Sequence, residues 1–336
     1  MSAAHHHGVL YILRRTLAAA ALVWLVLSLT FLLVRAAPGD PAALLLPPTA
    51  TAADAARMRA ELGLDAPVAV QYARWAGGVL RGDLGDSFAL HRPVSRVLAD
   101  ALPVTLFLGL TSLALTFVVG VVVGTVQAVR RGRASDTAIT VATTAVYAAP
   151  SYWLSLALVA LFTSGAARWG FPAALRLPAF GLRDPGGVGG GGAGALVDLA
   201  RHAVLPVAVL AAVGAAGIAR YARTSVGDVL DLDFVRTARA KGLAAGRVYG
   251  RHVLANALPP LIVLFALALP GVVAGSVFVE SVFAWPGMGR ALLTAIAARD
   301  YPVVMGVTAL YATLVIAANL AADLALPLVD PRRRAS

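Results

Sequence analysis

Six stretches of the chain carry no Asp, Glu, Lys or Arg: Thr16–Val34, Ala101–Val129, Thr137–Ala167, His202–Ala219, His252–Val279 and Tyr301–Ala322. Each reaches or approaches the roughly 18–20 apolar residues that a helix needs to cross a bilayer core of about 30 Å. Buried helices of water-soluble domains seldom run that far without a charge. Six such runs in one chain predict an all-α polytopic membrane protein, because a helix satisfies its own backbone in lipid. The first run follows Arg14 and Arg15, and Val34-Arg35-Ala36 loosely mimics a cleavage site. Its apolar core is longer than that of a usual signal peptide, so it is read as an uncleaved anchor.

Between the runs, shorter patterns predict local structure. Thr51-Ala-Ala-Asp54 has the spacing of a capping box, opening a helix through Glu61 that Gly63 should end. Val68, Tyr72, Trp75 and Val79 recur at helical spacing and predict a second, amphipathic helix. The segment 35–100 is therefore either a docking surface or a small cap on the bundle. Residues 186–194 are nearly all glycine, a flexible tether. In the segment 224–256, Asp231 or Asp233 should cap a helix reaching Lys241 and stopping at Gly242, with a second short helix from near Ala245. Phe234, Val235, Leu243 and Val248 lie among Arg236, Arg239, Lys241, Arg247 and Arg251, and no acid occurs from Phe234 to Val279. Such an elbow either inserts into a partner's groove or rests on anionic lipid.

Composition sharpens this picture. Of 336 residues 59% are hydrophobic and 13% charged, far from the balance of a soluble enzyme. The net charge of +11 raises the question of nucleic acid. Placement answers it. With the N-terminus in the cytoplasm, the segments 1–15, 130–136, 220–256 and 328–336 hold 15 Lys/Arg in 68 residues, and the opposite segments hold 13 in 121. That asymmetry is a topology signal, putting both termini in the cytoplasm and excluding a nucleic-acid role. The expected division is a cytoplasmic N-terminus (1–15), a first span (16–34), an outer segment (35–100), a core of five spans (101–327) containing the 224–256 loop, and a cytoplasmic C-terminus (328–336).

Candidate chemistry is sparse. There is no cysteine. The single lysine, Lys241, sits between Ala240 and Gly242, so Gly-x4-Gly-Lys-Ser/Thr is absent and no Walker A phosphate cradle is formed. Any ATP must be hydrolysed by another subunit. His5–His7, His91, His202 and His252 are scattered without ligand spacing, and no metal site or catalytic residue is expected. Glu280 and Asp323 are the acids an ion-gradient transporter would use as a relay, but both stand at span ends rather than at the midplane where such a relay belongs. Pro270-Gly271, Gly275 and Ser276, with Glu280, give the fifth span a kink and a small-residue face that is a candidate lining of a passage, or of a close helix contact.

Asp233-Phe-Val-Arg-Thr-Ala-Arg-Ala-Lys-Gly-Leu243, followed by Arg251-His252 and Asn256-Ala-Leu-Pro259, resembles the cytoplasmic signature of the dipeptide/oligopeptide/nickel class of ATP-binding-cassette importer permeases. The likeness extends over most of the chain. Pro38-Gly-Asp-Pro41, Glu61-Leu-Gly-Leu-Asp65, Gly82-Asp-Leu-Gly-Asp-Ser87, Arg92-Pro-Val94, Ala149-Pro-Ser-Tyr-Trp-Leu154, Glu280–Arg290 and Arg299-Asp-Tyr-Pro302 are similar to its other motifs. The broader importer signature is degenerate here: Arg236-Thr237-Ala238 stands at its first positions and Ala255 where it has proline. The resemblance implies the six-helix type I permease fold. It makes residues Asp233, Phe234, Val235, Arg236, Thr237, Ala238, Arg239, Ala240, Lys241, Gly242, Leu243, Arg247 and Arg251 the loop that couples to the ATPase. It further implies a second homologous permease, two P-loop ATPases holding ATP and Mg, and an extracytoplasmic solute-binding protein. The solute would be a di- or oligopeptide, with nickel or another small solute as the alternative.

Overall fold

The computed structural model describes residues 2–37, 42, 46–47, 49–172, 175–184, 192–274 and 276–329, with backbone alone for 2–11, 164, 273–274 and 322–329. The Pro38–Pro41 motif, Gly275, residues 186–191 of the glycine tether and the end of the chain from 330 lie outside the described residues. Five helical stretches are long and apolar enough to cross a membrane, Ile12–Ala36, Val94–Val129, Ala193–Leu230, Ala245–Val272 and Tyr301–Ala321, and a bent pair over 134–168 counts as a sixth when its two helices are taken as one span. The chain divides into two compact units, residues 1–105 with 287–336, and residues 106–286.

In the first unit, α1 (Ser2–Ala36) packs along α12 (Tyr301–Val329). The capping box forms as expected: Thr51 precedes α2 (Ala52–Glu61), its hydroxyl accepting from Asp54 N while the Asp54 carboxylate accepts from Thr51 N. Gly63 follows the helix with φ +65°. The amphipathic helix is α3 (Val68–Leu80). Its Tyr72 and Trp75 pack on Phe31 of α1 with ring centroids 5.3 Å apart in both pairs, beside Tyr301 and Met305 of α12. Tyr72 also shares a 2.6 Å hydrogen bond with Ser28. This face of α3 is thus committed to its own chain, as a cap. The start of α4 (Val94–Val129) contributes Val94, Val97, Leu98 and Ala101 to a core with α11 (Met288–Ala297) and α12. Gly306 of α12 is required there: a Cβ would stand 2.5 Å from Val94 Cγ1.

In the second unit, the rest of α4 packs against α7 (Ala193–Leu230). Helices of 36 and 38 residues span about 54 and 57 Å, far beyond a hydrocarbon core of about 30 Å, so both project from it. The contact between α4 and α7 is built on small residues. A Cβ on Gly120 would meet Ile218 Cβ at 2.7 Å, and one on Gly124 would meet Ala222 Cβ at 2.6 Å. Without a strong hydrophobic drive between helices in lipid, such close backbone approach supplies the packing.

The third predicted span is not one helix. It is α5 (Ala134–Ala148) and α6 (Ser151–Ala160), bent by 104°, with α6 continuing through a π-helical turn at Leu161–Gly165 to Arg168. Pro150 causes the break. The residue before a proline is driven out of the α region, and Ala149 has φ −73°, ψ 132°. The fifth predicted span is corrected likewise. A π-helical stretch, Val248–Leu254, leads into α9 (Ala255–Ala274), and residues up to Val279 do not continue it: a separate helix, α10 (Val277–Val282), begins after Ser276. Ser276 starts that helix, its hydroxyl accepting from Val279 N at 3.4 Å.

Candidate functional site

Between α7 and α9 lies α8 (Asp233–Ala240), then a turn at Gly242 and one helical turn at Ala245–Arg247. The break falls where the sequence puts it: Gly242 has φ +75°, and Gly242 N donates to the Arg239 carbonyl at 2.9 Å. The start differs from expectation. Leu232, with no side-chain cap, precedes the helix, and Asp233 is its first residue, where a carboxylate still favours the positive end of the helix. Asp231 instead faces Arg131 at 4.0 Å.

α8 has two faces. Val235 and Ala238 are buried with Ala128 of α4, Val226 and Val229 of α7, Val248 and Val253 of the π-helical stretch, and Ala257 of α9. Ser225 adds a hydrogen bond to the Ala257 carbonyl at 2.8 Å. Val235 and Val248, expected to reach outward, therefore hold the elbow to its own helices, and Leu243 packs partly against the same cluster. The outer face keeps Phe234, 41% exposed, with Arg236, Thr237, Arg239, Ala240, Lys241, Arg247 and Arg251. Arg236 pairs with Asp233 at 3.2 Å, but both side chains are largely exposed, which makes the pair weak. Arg239 lies over the Tyr249 ring at 6.0 Å. The result is an apolar side chain in a cationic rim on a helix whose inner face belongs to one apolar cluster with residues of α4, α7, the π-helical stretch and α9.

The pathway candidates are dispersed. Pro270 is buried within α9, while Gly271 is exposed, and a Cβ there would meet nothing within 4 Å. The fifth span meets α4 closely at another point, where a Cβ on Gly109 would stand 2.6 Å from Val272 Cγ1. Ser276 caps α10, and Glu280 is fully buried in its first turn rather than at the end of the fifth span. Beyond it, Trp285 N donates to the Glu280 carbonyl at 2.8 Å, and the Trp285 ring stacks on Phe107 at 6.1 Å.

Two further constellations escape sequence reading because they join distant residues. Asp300, 2% exposed, accepts from the Ser87 hydroxyl, Phe88 N at 3.1 Å and Ala89 N at 3.2 Å. Two motifs separated by over two hundred residues thus meet at one carboxylate. Asp136, buried, accepts from Arg223 Nη2 at 2.8 Å and from Gly132 N at 3.2 Å, fixing the turn after α4 to α7. Only the turn-forming Gly132, with φ +78°, was a visible signal.

Comparison with known proteins finds similarity along most of the chain. Residues 120–335 match the family described as binding-protein-dependent transport system inner membrane component, and residues 9–109 match its N-terminal membrane region. The chain is 37% identical over 329 residues to the oligopeptide transport system permease protein AppB of Bacillus subtilis, covering 96% of this chain and 98% of that protein. It is 37% identical over 317 residues to the di/tripeptide transport system permease protein DppB of Pseudomonas aeruginosa, covering 91% and 93%. A structure of the MetNI methionine ABC transporter in inward facing conformations is similar with a TM-score of 0.49 at 18% identity, over 70% of this chain and 97% of that one. The chain belongs to the binding-protein-dependent transport system inner membrane components, as an all-helical permease subunit of an ABC importer.

Proposed function

We propose that this permease subunit passes di- or oligopeptides and takes its driving motion through α8. The substrate reading rests on the relatives, whose names specify oligopeptide and di/tripeptide transport, and it favours peptides over nickel. The coupling reading rests on the two faces of α8. Its inner face joins one buried apolar cluster with residues of α4, α7, the π-helical stretch and α9, so a push on the outer face is passed into the packing those helices share. Its outer face offers Phe234 as an anchor and a cationic rim for orientation.

In this reading the elbow and both termini face the cytoplasm, where the basic residues are concentrated. Two P-loop ATPases carry ATP and Mg, and their closure displaces α8. A second homologous permease supplies the other half of the passage, and a solute-binding protein delivers peptide on the far side. Pro270, Gly271, Gly275, Ser276 and Glu280 remain candidates for its lining or gate. The test is ATP-driven uptake of a labelled tripeptide by the complete transporter in proteoliposomes. Uptake dependent on ATP, and abolished by Gly242→Val with the chain still inserted, is expected. Nickel uptake without peptide uptake would overturn the substrate, and normal uptake by the variant would overturn the coupling role.

A further inference from the structure

In the second unit, the loop after α6 passes under the first turns of α7 and is pinned at two points. Leu177 N donates to the Phe162 carbonyl at 3.1 Å, and Gly181 N to the Phe283 carbonyl at 2.9 Å. At its end Asp184 meets Asp198 and His202, which share one face of α7 at i, i+4 spacing. One ligand atom from each of the three lies within 4.8 Å of the others. The histidines alone gave no hint of this, because the two partners are aspartates.

The His202 side chain is 1% exposed, so its ring position is fixed by packing. Its Nδ1 lies 2.9 Å from the Asp198 carbonyl and 3.2 Å from Asp198 Oδ1. Both are acceptors, so the ring proton belongs on Nδ1. Nε2 then directs its lone pair toward Asp184 Oδ1 at 3.6 Å. That separation is too long for a hydrogen bond. It does match the roughly 3.4 Å between two ligands held about 2.1 Å from one tetrahedral metal ion. A ring nitrogen donating to a backbone carbonyl while the other faces a carboxylate, here Asp184, is how proteins orient metal-ligating histidines.

Asp198 Oδ2 accepts from Asp184 N at 3.1 Å, which holds the two carboxylates together. Of the arginines lining the adjacent cavity, Arg201 donates to the Arg176 carbonyl at 3.0 Å, and Arg176 to the Phe171 carbonyl at 3.1 Å. Among the described residues, no arginine pairs with Asp184 or Asp198. A cavity of about 430 Å3, lined by both aspartates, Arg176, Arg201 and Thr163, gives the two carboxylates access to solvent.

We infer that His202 Nε2, Asp184 and Asp198 form a binding site for a divalent transition-metal cation, which ties the loop ending at Asp184 to α7. One imidazole with two carboxylates suits zinc or manganese rather than a soft-metal site. The test is zinc binding to the complete transporter in detergent, by titration calorimetry and by metal content after dialysis. His5–His7 are replaced by serine throughout, so that they contribute no competing imidazoles. The expected result is one zinc per copy of this chain, with affinity reduced at least about tenfold in His202→Gln and in Asp184→Asn. The second variant changes a side chain that is 67% exposed, so its folding is not at stake. Zinc content unchanged in both variants, or no zinc taken up by the parent, would overturn the site.

Discussion

Asp300 and α8 both lie in stretches that resemble family motifs, yet their surroundings are opposite. Asp300 is enclosed, and its carboxylate is filled by donors from Ser87, Phe88 and Ala89 of the same chain. Around α8 the apolar residues Val235 and Ala238 are enclosed, while Phe234 and the basic side chains are left in the open. A buried polar group needs its partners inside the fold, because an unmatched one is costly. An exposed anchor in a charged rim has no such need within the chain. The difference separates a residue that holds the subunit together from residues free to meet another subunit.

The comparison breaks most visibly at Asp300. Replacing it by alanine strands the buried donors around Ser87 and should cost about 3 kcal/mol, read as a lower thermal midpoint in detergent. A midpoint unchanged by Asp300→Ala would remove the enclosed half of the contrast. Gly242→Val comes next. It forces a β-branched residue to φ +75° at a place where a Cβ meets no neighbour, so the cost of about 1–2 kcal/mol is conformational. Limited proteolysis at the elbow should register it while the remainder of the subunit stays resistant.

A gain is expected at Arg299. It holds φ +52° after α11, with Asp300 N donating to the Ala295 carbonyl at 2.8 Å, the geometry of a helix end that glycine prefers. Arg299→Gly should raise stability by up to about 1 kcal/mol in the same thermal assay. Phe234→Ala should be nearly silent in stability, within about 0.5 kcal/mol. If Phe234 is the anchor, transport should nonetheless fall about tenfold or more in reconstituted vesicles.

The smallest effect concerns Asp54. Hydrogen bonds from Thr51 hold its carboxyl below the usual carboxylate range. The sign follows: the capping contribution is present above the unfolded value of about 4 and is lost as pH falls through the lower folded value. Amide exchange at the start of α2 should accelerate in acid in the parent, and Thr51→Ala should weaken that dependence, because the hydroxyl is lost while the backbone N–H at position 51 still donates.

The sequence shows these features unevenly. Long uncharged runs, the Thr51 capping box and the Gly242 turn are local patterns: the structure forms the box and the turn where the pattern puts them, and holds four of the six runs within single helices. The break at Ala149-Pro150 was visible as a motif but not as a bend, because hydrophobicity runs unbroken across it. In the elbow, charge and apolarity were legible but the facing was not. Val235 and Phe234 are adjacent and similar, and only the packing of α4, α7 and α9 decides which is buried. The Asp300, Asp136 and His202 constellations join residues that only the tertiary fold brings together, apart from the Asp198–His202 spacing on α7.

The most direct test of an open, partner-facing α8 uses the absence of cysteine from the chain. Phe234→Cys provides a single thiol on the exposed face, and Val235→Cys provides the buried control. Labelling with a membrane-impermeant maleimide is compared on inverted and right-side-out vesicles, with and without the ATPase subunits. The account predicts that Phe234→Cys labels only in inverted vesicles and is protected when the ATPases are present, while Val235→Cys labels poorly throughout. Equal labelling of Phe234→Cys with and without the ATPases, or labelling in right-side-out vesicles alone, would contradict it.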